Sequence, residues 1–251
     1  MSGIPQSLSL IAELQEKKTL FHEAHFILAL HTIFRRGHTG RYPLVEELCL
    51  QSSRARILLK LMQESGVIVT SIGRKGAQLT LKGQEICNEL FGIFHLLETD
   101  DDWNIGGILT LGDVNSLVAI PFGKLNTKSL DLIGIRDAAV RCGGLGATVL
   151  VGVRDGGNLV LNFYKRVGDF GRIDPDLDQE SVLALKDLGR QLLIVSPNLE
   201  IEDKWIFIAG TSNYSVNRSL DGRLQIKSEC KAKTLSILAA VQAAWECVFP
   251  R

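Results

Sequence analysis

The sequence predicts an α+β protein with two domains, and two of its stretches support this prediction. Within residues 43–83, two helical patterns separated by a polar break precede two strand-like runs that flank a glycine-bounded turn. After residue 105, strand-like runs alternate with helical patterns, and one pair of runs meets at Asp155-Gly156-Gly157 as a hairpin. The predicted boundaries are residues 1–97 for the first domain, 98–104 for a linker and 105–251 for the second domain.

Composition indicates a soluble globular protein, because 45% of the 251 residues are hydrophobic and 22% are charged. No apolar run reaches the roughly 20 residues of a membrane span, and no basic segment precedes an apolar core at the N-terminus. The five cysteines are odd in number and scattered, which is typical of reduced thiols. We therefore expect a cytoplasmic protein that neither enters nor crosses a membrane.

Charge is distributed unevenly along a chain whose formal net charge is zero. Residues 1–95 hold 11 Lys and Arg against 8 Asp and Glu, whereas residues 96–251 hold 17 against 20. This asymmetry is modest, so binding to nucleic acid would depend on the local placement of cations and not on bulk charge.

The elements ahead of the polar break are predicted from their periodicity. A short helix is possible around residues 8–15, and a helix with a wide apolar face is predicted over residues 19–36, where it could also meet a partner subunit. Arg41-Tyr42 suits a short strand that pairs with the later hairpin. Pro43 suits the first position of the next helix, which is short and amphipathic.

The second helix of the 43–83 stretch carries an apolar face and a cationic face. Ser52 is its predicted N-cap, and Gly66 follows its end. The expected core positions are Ile57, Leu58, Leu61 and Met62. Polar and cationic residues at its start and along its other side would then face solvent or an anion.

A basic hairpin tip, Gly73-Arg74-Lys75-Gly76, follows this helix. Helix, turn, helix and basic hairpin together predict a winged helix-turn-helix, whose usual role is to bind double-stranded DNA. We expect the helix to enter the major groove and the hairpin cations to contact phosphates or the minor groove. The predicted DNA-binding residues are Ser52, Ser53, Arg54, Arg56, Lys60, Arg74, Lys75 and Arg41. The alternative is a polar helix face in a module that binds protein.

After the hairpin in the chain, Thr80 is the predicted N-cap of a helix that runs to about His95. In winged-helix regulators the helix at this place often mediates dimerisation. In the second domain the predicted strands are residues 108–111, 117–120, 147–153, 158–163, 192–195 and 205–209, and the predicted helices are residues 130–141, 181–188 and 230–248. A strand pair followed by a helix thus occurs near 108–142 and near 192–248, which suggests a duplicated β-β-α unit.

Three motifs that could bind a ligand have simpler interpretations. His22 and His25 lie on one helix face but lack the i, i+4 pair of zinc proteases. The run from Asp174 to Asp178 has no glycine or glutamate at the calcium-loop positions that require them. Gly143-Gly144-Leu145-Gly146 leads from a helix into a strand, the reverse of a dinucleotide fingerprint. The sequence therefore predicts no metal, no cofactor and no catalytic residue.

Arg136 and Asp137 precede these glycines in the predicted helix over residues 130–141. They could face a ligand crevice and bind an effector, or they could form an ion pair on the surface. Both interpretations remain open at this point.

The stretch at residues 43–83 resembles the winged-helix domains of the MarR and PadR type. Through Arg56-Ile-Leu-Leu-Lys-Leu, Gly66-Val-Ile and Leu79-Thr-Leu-Lys-Gly83, it also resembles a group of uncharacterised archaeal proteins with a C-terminal α+β domain. Ile135-Arg136-Asp137-Ala138 and Gly146-Ala147-Thr148 extend that resemblance, which covers residues 20–95 and, more loosely, 105–165. Arg54 departs from the small or β-branched residue expected there. The resemblance implies transcriptional regulation.

These observations together predict a homodimeric, sequence-specific DNA-binding transcriptional regulator. Its second domain would sense a small molecule or supply dimer contacts. Two alternatives remain: an enzyme of the small-molecule transferase or kinase type fused to a winged helix, and a winged-helix module that binds protein.

Overall fold

The computed structural model describes residues 4–70, 76–97, 109, 112–121, 130–155, 158–164, 176–195, 204–211 and 228–249. The chain is of the α+β class, and it divides into two compact units, Met1–Ile93 and Phe94–Arg251. The unit boundary therefore precedes the linker predicted over residues 98–104. None of the helices in the described part of the chain is long and apolar enough to cross a membrane.

The described residues of the first unit form five helices and one short antiparallel hairpin. Its elements, in chain order, are α1 (Gln6–Lys17), α2 (Glu23–Arg36), α3 (Arg41–Glu47), α4 (Ser52–Glu64), β1 (Ile68–Thr70), β2 (Ala77–Leu79) and α5 (Leu81–Phe91). Its core is formed by apolar side chains that are fully buried, including Ile11, Phe26, Ile27, Leu30, Leu44 and Leu58. At roughly 25 cal/mol per Å² of apolar surface, this burial is the main force that holds the short helices together.

Three details of the first unit differ from the prediction. Arg41 and Tyr42 begin α3 and are not a strand, and the expected pairing with the hairpin is a single bridge between Thr39 and Ala77. Consequently Gly40, and not a residue next to Pro43, occupies the N-cap position of α3. In α4 the N-cap position is occupied by Gln51 and not by Ser52, the predicted cap. Thr80 does cap α5, because its hydroxyl accepts a hydrogen bond from the Gly83 amide at 3.0 Å.

Helix α5 ends at Phe91, four residues before the predicted end at His95, which belongs to a strand of the second unit. That unit contains β3 (His95–Leu97), β4 (Val114–Pro121), α6 (Leu132–Arg141), β5 (Gly146–Asp155), β6 (Asn158–Phe163), α7 (Gln179–Val195), β7 (Lys204–Thr211) and α8 (Ser228–Val248). The strands in the described part of this unit form one antiparallel sheet in the order β3-β4-β7-β5-β6.

Helices cover both faces of this sheet. Helix α8 packs on β4 and β7 and is itself covered by α6, while α7 packs beside β6. Alternate residues of each strand accordingly face opposite layers, so Leu117 and Ile208 join the leucines of α7 in one core cluster. On the other face, Trp245 of α8 is buried and stacks between Phe94 and Phe249, at ring-centroid distances of 6.3 and 5.2 Å.

The predicted duplication is wrong in its second half. Residues 192–195 were expected to form a strand, but they are the last turn of α7. Leu185, Leu188 and Leu192 are buried at helical spacing, so packing against the sheet extends the helix through a segment with high strand propensity. The predicted strand at residues 108–111 lies largely outside the described residues.

Candidate nucleic-acid interface

Helix α4 has one face in the core and one face in solvent. Ala55, Leu58 and Met62 are fully buried, whereas the five residues of α4 that were predicted to bind DNA are all exposed. These exposed residues are Ser52, Ser53, Arg54, Arg56 and Lys60. The helix is therefore held by its apolar stripe, and its polar side chains are available to a ligand.

Arg56 and Lys60 lie one turn apart on the outer face. Lys60 Nζ is 3.7 Å from Glu64 Oε1, and both side chains are more than half exposed, so water screens this ion pair. Arg56 makes no ion pair or side-chain hydrogen bond with any other residue that the structure describes. Its guanidinium is thus the cation of α4 that is most readily available to an anion or a base edge.

Arg54 points in a different direction from Arg56. At about 100° per residue, the two positions are separated by about 160° around the helix axis. The Arg54 guanidinium is instead close enough to His25 of α2 to help lower the pKa of that imidazole. The structure therefore does not bring Arg54 onto the face that carries Arg56 and Lys60, although its side chain is exposed.

Arg41 begins α3 and is only half-buried. One of its terminal nitrogens donates to the Tyr42 hydroxyl at 3.3 Å, and its guanidinium lies 5.0 Å from the centre of the Tyr42 ring. Tyr42 is 69% exposed, so this pair presents an aromatic ring and a cation together at the surface. Arg41 was among the residues predicted to bind DNA, and Tyr42 was not.

Hydrogen bonds fix the hairpin to the end of α4. The Thr80 hydroxyl donates to the Gly66 carbonyl at 2.7 Å, and the Thr70 hydroxyl donates to Gln63 Oε1 at 3.0 Å. Gln63 is exposed and lies seven residues after Arg56, so it shares the outer face; that spacing is the signal by which it could have been recognised. Arg74 and Lys75, the predicted hairpin cations, lie outside the described residues.

A histidine cluster lies at the start of α2. The His22 amide donates to His25 Nδ1 at 3.2 Å, and the two rings stack with centroids 5.8 Å apart. Burial, followed by the neighbouring His22 and Arg54, lowers the pKa of His25 from 6.5 to about 4. His25 is therefore neutral at pH 7, with its Nδ1 occupied as an acceptor, which agrees with a structural role for this pair.

Arg136 and Asp137, the predicted effector-binding residues, are paired with each other on α6. Arg136 Nε and one terminal nitrogen donate to Asp137 Oδ1 at 3.1 and 2.9 Å, and about half of each side chain is exposed. This is the surface ion pair that the sequence offered as the alternative to a ligand contact.

The two other motifs that were considered as ligand sites form local structure where the structure describes them, and Asp174 and Pro175 of the acidic run lie outside the described residues. Asp178 Oδ1 accepts from the Ser181 amide and Oδ2 from its hydroxyl, both at 2.8 Å, and these bonds lower the pKa of Asp178. Gly143 adopts a φ of 92° after the end of α6, where glycine is favoured. Within the described ranges, no group of three or more His, Cys, Asp and Glu residues is placed to hold a metal ion.

Comparison with known proteins supports the fold alone. No protein-family model and no curated protein matches the chain. A solved structure described as hypothetical protein PH0730 from Pyrococcus horikoshii OT3 is similar, with a TM-score of 0.56 at 17% identity. The match covers 92% of this chain and 97% of that one, so the arrangement of elements is shared over nearly the full length of both.

Proposed function

We propose that the first unit is a winged helix-turn-helix that binds double-stranded DNA, and that the protein is a homodimeric transcriptional regulator. In this proposal α3 and α4 form the helix-turn-helix, α4 is the recognition helix, and β1 and β2 form the wing. The second unit supplies dimer contacts or senses a small molecule.

The observation that carries the proposal is the exposed polar face of α4. Arg56, Lys60 and Gln63 project from a helix whose opposite side is anchored in the core by fully buried residues. An anchored helix loses little conformational entropy when it enters a groove, so its side chains can discriminate between bases.

The turn before α4 gives independent support. Four residues separate α3 from α4, and Cys49 within this turn has a φ of 49°, in the left-handed region. Turns of helix-turn-helix motifs are of this length and often contain glycine, the residue that adopts this conformation most readily. The conformation of the turn thus fits the motif, although the left-handed residue is a cysteine and not a glycine.

Different roles follow for the exposed residues. Arg56 is the best candidate for a bidentate contact with guanine, while Ser52 and Ser53, at the start of α4, would hydrogen-bond phosphates. Lys60 contributes a screened charge near the backbone. A two-fold dimer would place two recognition helices about 34 Å apart, one turn of DNA, and would select palindromic sites.

The test begins with selection of binding sites from a random duplex library by the full-length protein. Fluorescence anisotropy on the selected duplex and on a scrambled one then gives both affinities at two salt concentrations. We expect Arg56→Ala to weaken binding to the selected site by roughly tenfold or more and to reduce the preference over the scrambled duplex. Lys60→Ala should weaken both duplexes to a similar and smaller extent.

Arg190→Ala is the matched control. Arg190 is an exposed helical arginine, 77% accessible, on α7 of the second unit, and its weak pairing with Asp187 at 3.6 Å resembles that of Lys60 with Glu64. Its removal should leave both affinities unchanged. Failure to enrich any sequence, or equal losses for Arg56→Ala and Arg190→Ala, would refute the proposal.

A further inference from the structure

Helix α6 leaves an apolar face in contact with solvent. Leu132, Ile133 and Val140 are 45, 67 and 48% exposed, although their neighbours Ile135 and Ala138 are buried against the rest of the second unit. Exposed apolar residues that are scattered singly require no explanation, but these three lie within about 100° of one another on a single ten-residue helix. Such a face is typical of a surface that another element covers.

Two of the exposed apolar residues and the two charged residues of α6 are placed symmetrically about its centre, whereas Leu132 mirrors Arg141. The centre of α6 lies between Arg136 and Asp137. Ile133 and Val140 are equally far from that centre, one on each side, and at helical spacing they share the face with Arg136. A basic and an acidic residue therefore occupy the middle, and Ile133 and Val140 flank them at equal distances.

We propose that α6 pairs with α6 of a second copy of this chain, in antiparallel orientation about a two-fold axis through its centre. In an isologous contact the residue at one position meets the residue at the mirrored position. Ile133 then packs on the partner's Val140, and Arg136 meets the partner's Asp137. The same two contacts recur on the other side of the axis.

Charge complementarity is what selects a second copy as the occupant. An antiparallel pair brings two guanidinium groups and two carboxylates together in alternating order, so that each Arg136 lies between carboxylates of both chains. A parallel pair would instead place like charges opposite each other, at a cost that specifies orientation. The face is thus complementary in charge to a second copy of itself, and this complementarity identifies the partner.

The size of the face limits the strength of the contact. A ten-residue helix is about 15 Å long, so the helix pair alone gives an interface at the low end of the range for specific complexes. We therefore expect dimers that dissociate on the order of micromolar concentration in the absence of other contacts. The inference stands on α6 alone and does not require the first unit to bind DNA.

Sedimentation velocity of the full-length protein, measured from low to high micromolar concentration without DNA, tests the proposal. Arg136→Glu places an acidic residue opposite the partner's Asp137 twice in each dimer, so the dissociation constant should rise on the order of tenfold or more. Asp137→Arg should have a similar effect. The double substitution R136D/D137R restores opposite charges across the axis and should recover most of the wild-type affinity.

Ile194→Glu is the control for a general effect of surface charge. Ile194 is 78% exposed on α7 and has no role in the proposed contact, so this variant should dimerise as the wild type does. Circular dichroism of each variant establishes that the fold is retained. The proposal is overturned by a monomeric wild-type protein at high concentration, or by a dimer that is insensitive to both single charge reversals.

Cross-linking tests the register directly. A mixture of Ile133→Cys and Val140→Cys proteins should form a disulfide-linked dimer under mild oxidation, because these two positions face each other across the axis. Either variant alone should form far less, because each cysteine then faces an apolar side chain. Equal yields from the mixture and from the separate proteins would contradict the antiparallel pairing.

Discussion

The neutral imidazole of His25 makes the stability of the first unit depend on pH. In the folded protein its pKa is lowered from 6.5 to about 4, chiefly by burial and then by His22 and Arg54. Below pH 6.5 the unfolded chain therefore binds a proton that the folded chain does not bind until about pH 4. Stability is fully retained above pH 6.5 and is lost as the pH falls towards 4.

The expected loss follows from the difference between the two pKa values. At about 1.4 kcal/mol per factor of ten in proton affinity, His25 lowers the free energy of unfolding by about 2 kcal/mol at pH 5 and by about 3 kcal/mol at pH 4. This is a large fraction of the roughly 5–15 kcal/mol that stabilises a typical domain.

His25→Gln separates this effect from the titration of carboxylates. Glutamine at this position can still accept the hydrogen bond from the His22 amide, as in a capping box, but it does not titrate. Urea unfolding at pH 7, 6, 5 and 4, followed by far-ultraviolet circular dichroism, gives the free energy of unfolding of both proteins.

Tryptophan fluorescence provides an internal control in the same samples, because Trp103, Trp205 and Trp245 all belong to the second unit. We expect the variant to lose about 2 kcal/mol less than the wild type between pH 7 and pH 5. The fluorescence transition should be the same in both proteins. If the two proteins show equal pH dependence by circular dichroism, the assignment of a neutral His25 in the folded protein is wrong.

Two further predictions concern stability. Cys49→Gly should raise the free energy of unfolding by up to about 1 kcal/mol, because the left-handed backbone conformation at this position is strained for every residue except glycine. Cys49→Val should lower the free energy of unfolding. Urea unfolding of both variants would show whether the two changes have opposite signs. In the second unit, the buried Ser116 and Ser236 hydroxyls are 2.6 Å apart, and Ser236 Oγ also donates to the Lys233 carbonyl at 2.8 Å, so the proton between the hydroxyls comes from Ser116. Ser236→Ala should therefore cost about 1–3 kcal/mol and more than Ser116→Ala, and equal losses in tryptophan-monitored unfolding would contradict this assignment.

Local signals in the sequence determined most of the elements. The cap at Thr80, the hairpin that pairs β5 with β6, and the core residues Leu58 and Met62 of α4 follow from patterns that span only a few residues. A cap, a tight turn and an apolar stripe depend on interactions between residues that are close together in the chain, so a short stretch of sequence is enough to predict them.

The sequence also separated the exposed from the buried side of α4. Arg56 and Lys60 were predicted at the surface, and they are exposed there. Periodicity determines which residues share a helix face, but it does not determine what lies beside the face. The effect of Arg54 on the pKa of His25 therefore depends on the tertiary fold, which brings these two distant residues close together.

Tertiary structure alone decided the elements whose partners lie far away in the chain. Residues 192–195 have strand propensity, yet they continue α7, because Leu185, Leu188 and Leu192 can be buried together against the sheet only as a helix. His95, the predicted end of the helix after Thr80, instead begins the edge strand His95–Leu97, since β4 offers unpaired backbone groups. The order β3-β4-β7-β5-β6 likewise depends on hydrogen bonds between strands that are up to about a hundred residues apart, and no local pattern records which of them will meet.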